Sequence, residues 1–165
     1  AWTAEKFDPA LNWDKIRKLM DMWGGKVILK GILDPEDAEK AVAVGADAIV
    51  VSNHGGRQLD GALSSIRALP AIAAAVGDRT EVWMDGGVRS GQDVLKAVAL
   101  GARGVLIGRA FTYGLGAMGE AGVTKALEII HKELDVSMAL CGETRLADVG
   151  RHNVLVPKGF LDGYS

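Results

Sequence analysis

The 165-residue chain is 48% hydrophobic and 24% charged, with a formal net charge of −2. That balance excludes a disordered segment, which buries too little apolar surface to offset chain entropy, and it excludes a basic phosphate-tracking surface, so nucleic acid is not an expected partner. The length suits one domain or part of one, and a lone Cys141 rules out an intrachain disulfide. No apolar run reaches the length of a membrane span and no signal-peptide pattern stands at the start, which sets a reducing, cytoplasmic compartment as the expectation. The chain begins at Ala1 and opens on AWTAEKFDPALNWDK, a polar and aromatic stretch more like the inside of a loop than a natural start. This predicts a fragment of a longer protein.

A short helix is expected over 12–22. Thereafter one pattern repeats: an apolar, β-branched run, a turn rich in Gly or Asp, then a helix with apolar residues at helical spacing. The first strand is expected at 27–29 and its helix at 35–44, with Asp34 as N-cap ahead of a proline at the first helical position. The second strand covers 48–51, followed by a long loop to Gly61 and a helix over 64–76 that Pro70 should interrupt or restart. The third strand is 82–84, its turn 85–91 and its helix 92–100. The fourth strand is 105–107. Helices over 110–118, 123–140 and 144–148 and a tail containing Pro and Gly complete the chain.

Strands this short and continuously apolar are buried on both faces, as parallel sheets covered by helices require, so the class is α/β. A doubly wound sheet and a barrel both fit this alternation. Residues with chemical potential after every strand, and Gly-rich turns after the last two, favour the (β/α)8 TIM barrel, whose phosphate site follows strands seven and eight. The four units are then units 5 to 8, the C-terminal half. A whole barrel needs about 250 residues, so the first four units are absent from this chain. The expected organisation is an opening segment and helix over 1–26, four βα units over 27–122, and the last barrel helix with its tail over 123–165.

The chemistry concentrates in IVVSNHGGRQLDG. His54 and Arg57 sit three apart on a loop after a strand, with Gly55 and Gly56 giving the backbone freedom. An imidazole titrating near neutrality can take a proton, and a guanidinium can grip a carboxylate through two parallel hydrogen bonds. Such a pair suits a hydroxy acid, Arg57 holding its carboxylate while His54 removes a proton from the neighbouring carbinol. An isolated HxxR is more often a solvated turn; its place at a strand end, within this longer string, reverses that reading. In the third and fourth units, Asp85, Gly86, Gly87 and Arg89, then Gly108 and Arg109, form two turns on adjacent strands. Glycines let main-chain amides approach a phosphate, and a following helix N-terminus and two arginines favour its charge. DGG or GR alone is more often structural.

SNHGGRQLDG, with KGIL, DGGVRSG and IGRAF in this order and spacing, resembles the FMN-dependent 2-hydroxy acid oxidase and dehydrogenase family. The likeness spans about 13–154, and DPEDAEKAV and LSSIRALPAIA make the chain most similar to the bacterial, respiratory L-lactate dehydrogenases that do not use NAD. The resemblance implies FMN as cofactor and oxidation of a small L-2-hydroxy acid, lactate before glycolate or mandelate. It implies His54 as base, Arg57 as carboxylate clamp and Ser52 as a flavin contact. Lys30 then stands near the pyrimidine edge of the flavin, where a fixed positive charge stabilises the anion formed by two-electron acceptance. Asp85 meets the ribityl hydroxyls, and Gly86, Gly87, Arg89, Gly108 and Arg109 surround the phosphate. It also implies a homo-oligomer, a tetramer in the family, and a peripheral place on the inner face of a bacterial membrane. The carboxylate that orients the base belongs to the other half of the barrel, so the chain is expected to pair with the N-terminal half or with a second copy of itself.

Other conspicuous residues are expected to be structural. Trp2, Trp13, Trp23 and Trp83 read as packing anchors, Cys141 as packing, His131 as a helix-surface residue, His152 as part of the tail, and Asp60 as a turn residue before an orienter of His54. Two further readings remain open: another FMN barrel, an isomerase or nucleotide dehydrogenase, which should lack the SNHGGRQLD base and clamp, and a noncatalytic flavin- or phosphate-binding half-barrel.

Overall fold

A computed structural model describes residues 9–160 of the chain. Trp2 and the first part of the opening segment lie outside the described residues. Helix α1, Trp13–Trp23, starts where the Asn12 side chain accepts a hydrogen bond from the Lys15 amide and ends at Gly24, whose φ of 65° breaks the helical path. Strand β1, Ile28–Ile32, and helix α2, Pro35–Ala43, follow; the Asp34 carboxylate caps α2 by accepting from the Glu36 amide at 2.7 Å. Then come β2, Ala48–Val51, α3, Ser65–Val76, β3, Glu81–Met84, α4, Gly91–Ala99, and β4, Gly104–Val105.

All strand pairs are parallel and the spatial order is β1-β2-β3-β4, each neighbour reached through one helix. A doubly wound sheet reverses its order at a switch point. This sheet never does, so it is the singly wound arrangement of a (β/α)8 barrel, present as a partial barrel. Side-chain alternation divides its faces. Ile49, Val51, Val82 and Met84 join Ala38, Ala41, Leu69, Ile72 and Val76 in the core beneath the helices. Each fully buried large aliphatic side chain there contributes roughly 1.5–3 kcal/mol. Ala48, Val50 and Trp83 lie on the opposite, concave face, with Lys30, Val50, Trp83 and Gly104 in one register row.

Three expectations are corrected. Strand β1 extends past Lys30, with a bulge at Gly31, whose φ of 98° shifts the register against β2. Pro70 lies inside a continuous α3; the missing N–H is tolerated because Leu69 and Ile72, each 0% exposed, pin the helix to the sheet. Trp23 is 70% exposed and donates its indole N–H to the Lys26 carbonyl, so among the described residues it anchors no core. The two expected helices after β4 are present as the two arms of α5, Arg109–Leu140, divided at Gly119, whose φ of 61° and ψ of −140° are not helical. The two arms fold back on each other at Gly114 and Gly122, where an added Cβ on either would run into the other's carbonyl.

Candidate active site

The strand tips carry the titratable groups. From its register row, Lys30 reaches up to the next row of the concave face. Its Nζ donates to Ser52 Oγ at 2.9 Å and pairs with Asp85 Oδ2 at 2.9 Å, so one ammonium ties the ends of β1, β2 and β3 together. Ser52 is 2% exposed, and its Oγ also accepts from the His54 amide at 3.1 Å. Two donors occupy that oxygen, which leaves its hydroxyl proton to donate.

The loop after β2 is a turn of 3-10 helix, His54–Gly56. His54 has φ 55°, the only positive φ at a non-glycine among the described residues. A side chain in the left-handed region costs about 1–2 kcal/mol and persists only where surrounding bonds fix it. Here the Asn53 side chain accepts from the Gly55 amide at 3.0 Å, and the Asn53 amide donates to Ser65 Oγ at 3.1 Å. His54 and Arg57 are both exposed. Asp60 Oδ1 lies against Gly56, in keeping with a turn role.

His54, Arg57, Asp85, Gly86, Gly87, Arg89, Gly108 and Arg109 line one cleft of about 400 Å3. The structure therefore brings together the sequence-derived candidates, with Lys30 and Ser52 joined to them by the hydrogen bonds and ion pair above. Arg109 stretches from the tip of β4 until its guanidinium lies beside Gly55, closing the cleft across the strand ends. A larger cleft, about 720 Å3, opens on the helical side of β3 between α4, the end of α5 and the tail. Its wall is mostly apolar, and His54, Arg57, Lys30 and Arg109 are absent from it.

The helix starts differ in a way the sequence reading missed. At α4 the amides of Arg89 and Ser90 both donate to Asp93 Oδ2, and the Gly91 amide donates to Glu133 Oε2 at 2.9 Å. Two carboxylates already answer that helix dipole. Among the described residues no side chain caps the first turn of α5. Of the two helices expected to attract a phosphate, the one beginning at Arg109 has its amides uncommitted to a side chain, which favours an anion there. The Ser90-to-Asp93 capping box was legible as a short motif; Glu133, 42 residues from Gly91, was not.

The site fits a polyhydroxylated, phosphorylated group. Asp85 Oδ1 is buried and is the only such side-chain atom without a hydrogen-bond partner among the described residues. An unmet buried acceptor calls for a donor such as a hydroxyl. Gly87, with φ 84° and open space where a Cβ would stand, exposes main chain beside it.

A family model described as FMN-dependent dehydrogenase matches residues 1–156. The chain belongs to the FMN-dependent dehydrogenase family. Among curated members, it is 60% identical over 148 residues to an L-lactate dehydrogenase of Caulobacter vibrioides, covering 90% of this chain and 39% of that protein. It is 52% identical to an L-lactate dehydrogenase of Pectobacterium atrosepticum, covering 98% and 42%. Among solved structures, a monotopic membrane protein, (S)-mandelate dehydrogenase, superposes with a TM-score of 0.89 at 40% identity, covering 93% of this chain and 41% of that one. A mandelate oxidase variant with a monooxide FMN adduct gives 0.83 at 48% identity, covering 87% and 46%. The chain thus spans about two-fifths of the length of the curated family members it matches. No helix among the described residues is long and apolar enough to cross a membrane.

Proposed function

We propose that the complete barrel containing this chain oxidises an L-2-hydroxy acid, L-lactate first, to the 2-oxo acid. One observation carries this reading: His54, held in a strained backbone conformation, shares a cleft with Arg57 and with the Lys30-linked ends of three strands. FMN, when bound, supplies the acceptor for two electrons.

The chain's own residues divide the remaining work. Arg57 binds the substrate carboxylate, and His54 accepts the proton from the adjacent carbinol. Lys30 holds a positive charge against the growing negative charge of the acceptor, kept in place by Asp85 and Ser52. Asp85 Oδ1 receives a ribityl hydroxyl, and the Ser52 hydroxyl donates to the flavin. Gly86, Gly87, Arg89, Gly108 and Arg109 hold the phosphate, with the uncapped start of α5 as the stronger helix contribution.

The partner that completes the site is the N-terminal half of the same barrel. Leu11, Leu19 and Met22 on and before α1 and Ile28 on β1 are exposed apolar groups along the open edge, which such a half would cover. In this reading 1–26 lead in from that half, 27–122 are the four βα units, and 123–165 close the barrel. Likeness to the monotopic mandelate dehydrogenase supports a peripheral membrane location, and assembly as a homo-oligomer accompanies it.

His54→Gln in the complete enzyme tests the assignment. Anaerobic rapid mixing with L-lactate should show FMN still bound and its absorbance unbleached, a loss of on the order of a thousandfold or more in the reduction rate. Bleaching at the unsubstituted rate would remove His54 from the reaction.

A further inference from the structure

Ser65 is the first residue of α3, yet it is 2% exposed, on the same helix as the fully buried Ala68 and Leu69. A hydroxyl there is costly unless it is hydrogen-bonded, and alanine would fill the same place without that cost. The hydroxyl has a partner outside its helix. Ser65 Oγ accepts from the Asn53 amide at 3.1 Å, while the preceding residue, Ser64, makes no side-chain cap to α3. The bond therefore serves the loop after β2.

Asn53 stands between Ser52 and His54, and each side of His54 is fixed by a different bond. The His54 amide donates to Ser52 Oγ and the Gly55 amide donates to Asn53 Oδ1. The Asn53 main chain, from which both turns hang, is itself fixed by Ser65. Gly86 completes the junction: a Cβ there would stand 3.0 Å from Ser65 Oγ and 3.1 Å from Asn53 Oδ1. The loop bearing His54 and the turn bearing Asp85 thus meet at the Ser65 hydroxyl. Ser65 does not line the cleft that holds His54 and Arg57.

We infer that Ser65 is a positioning residue for the proposed base: through the Asn53 amide it keeps His54 in the left-handed conformation that sets the imidazole over the cleft. This rests on the reading of His54 as the base. Without the Ser65 oxygen the Asn53 amide loses its acceptor inside the protein, and His54 can relax toward negative φ, where its side chain leaves the reacting position.

The test uses the complete, FMN-loaded enzyme and reads flavin reduction by L-lactate per bound FMN in single-turnover anaerobic mixing, so that loss of folded protein or of cofactor does not enter the rate. Ser65→Ala should reduce flavin about tenfold more slowly, the size of one buried hydrogen bond transferred to the barrier. Ser65→Thr, which keeps an oxygen on Cβ, should recover most of that loss. A Ser65→Ala rate per flavin equal to that of the unsubstituted enzyme, or a Ser65→Thr rate as low as that of Ser65→Ala, overturns the role given to Ser65. His54→Gln is run alongside. Unimpaired reduction by it defeats the base reading itself, whereas a dead His54→Gln beside a normal Ser65→Ala removes only the inference about Ser65.

Discussion

The two ends of the sheet are built to different rules. At the N-terminal end of the strands the polar groups are paired off. Asp47 accepts from Lys26 Nζ at 2.6 Å and from the Val27 amide at 2.8 Å, and the Thr80 hydroxyl lies within bonding distance of the Ala46 and Asp47 carbonyls. The Lys26 ammonium first, then the Val27 amide, hold the Asp47 carboxyl below its ordinary range. At the C-terminal end His54 is strained, Asp85 Oδ1 is buried without a partner, and α5 begins with no side-chain cap. Where one end has met its hydrogen-bonding demands, the other retains several that a ligand can meet. That division, stability below and chemistry above, is the one expected of barrels whose sites sit at the strand tips.

Three perturbations sharpen the contrast. The largest effect is expected at the tips. Lys30→Met removes the cation that links Ser52 and Asp85 and leaves both without it. Flavin reduction in the complete enzyme should slow on the order of a hundredfold, the scale of losing one preorganised stabilising group. A near-normal rate by rapid-mixing absorbance would show that the Lys30 charge is dispensable.

Asp47→Ala acts at the other end. It should lower the thermal midpoint, read by circular dichroism, and leave the rate of flavin reduction per bound FMN unchanged. A change in that rate would mean the two ends are coupled and the division fails.

The smallest effect belongs to the tail. Glu143 accepts from Asn153 Nδ2 at 2.8 Å and lies 2.9 Å from His152 Nε2, and these two, the asparagine amide foremost, hold its carboxyl below the ordinary value of 4.5. A carboxyl lowered in the folded state stabilises above its ordinary value, and that contribution fades as pH falls through the lowered one. Protection of the amides over 143–154, taken as exchange corrected for its intrinsic pH dependence, should therefore fall modestly on acidification below that value. Glu143→Gln should exchange faster at neutral pH and lose that acid dependence.

Much of the site was legible because its parts are local. His54 through Arg57 are adjacent, the Asp85 turn is contiguous, and short apolar runs ahead of each announced the strand tips on which they sit. Relations that cross strands were not. Lys30 meets Ser52 and Asp85 only because parallel register aligns Lys30 with Val50 and Trp83, two residues below those partners. Nothing in the local sequence marks Ser65, within the expected 64–76 helix, as a partner of the loop after β2, or Glu133 as the group that occupies the start of α4.

By itself, then, the order of residues determined the α/β class, the four units and the identity of the groups at their tips, because periodicity, turn chemistry and contiguous motifs act over a few residues. The tertiary structure decided which of those groups touch, which helix start is left for an anion, and why a histidine keeps a positive φ. These depend on strand register and on hydrogen bonds and an ion pair between segments 12 to 55 residues apart, which no local pattern encodes.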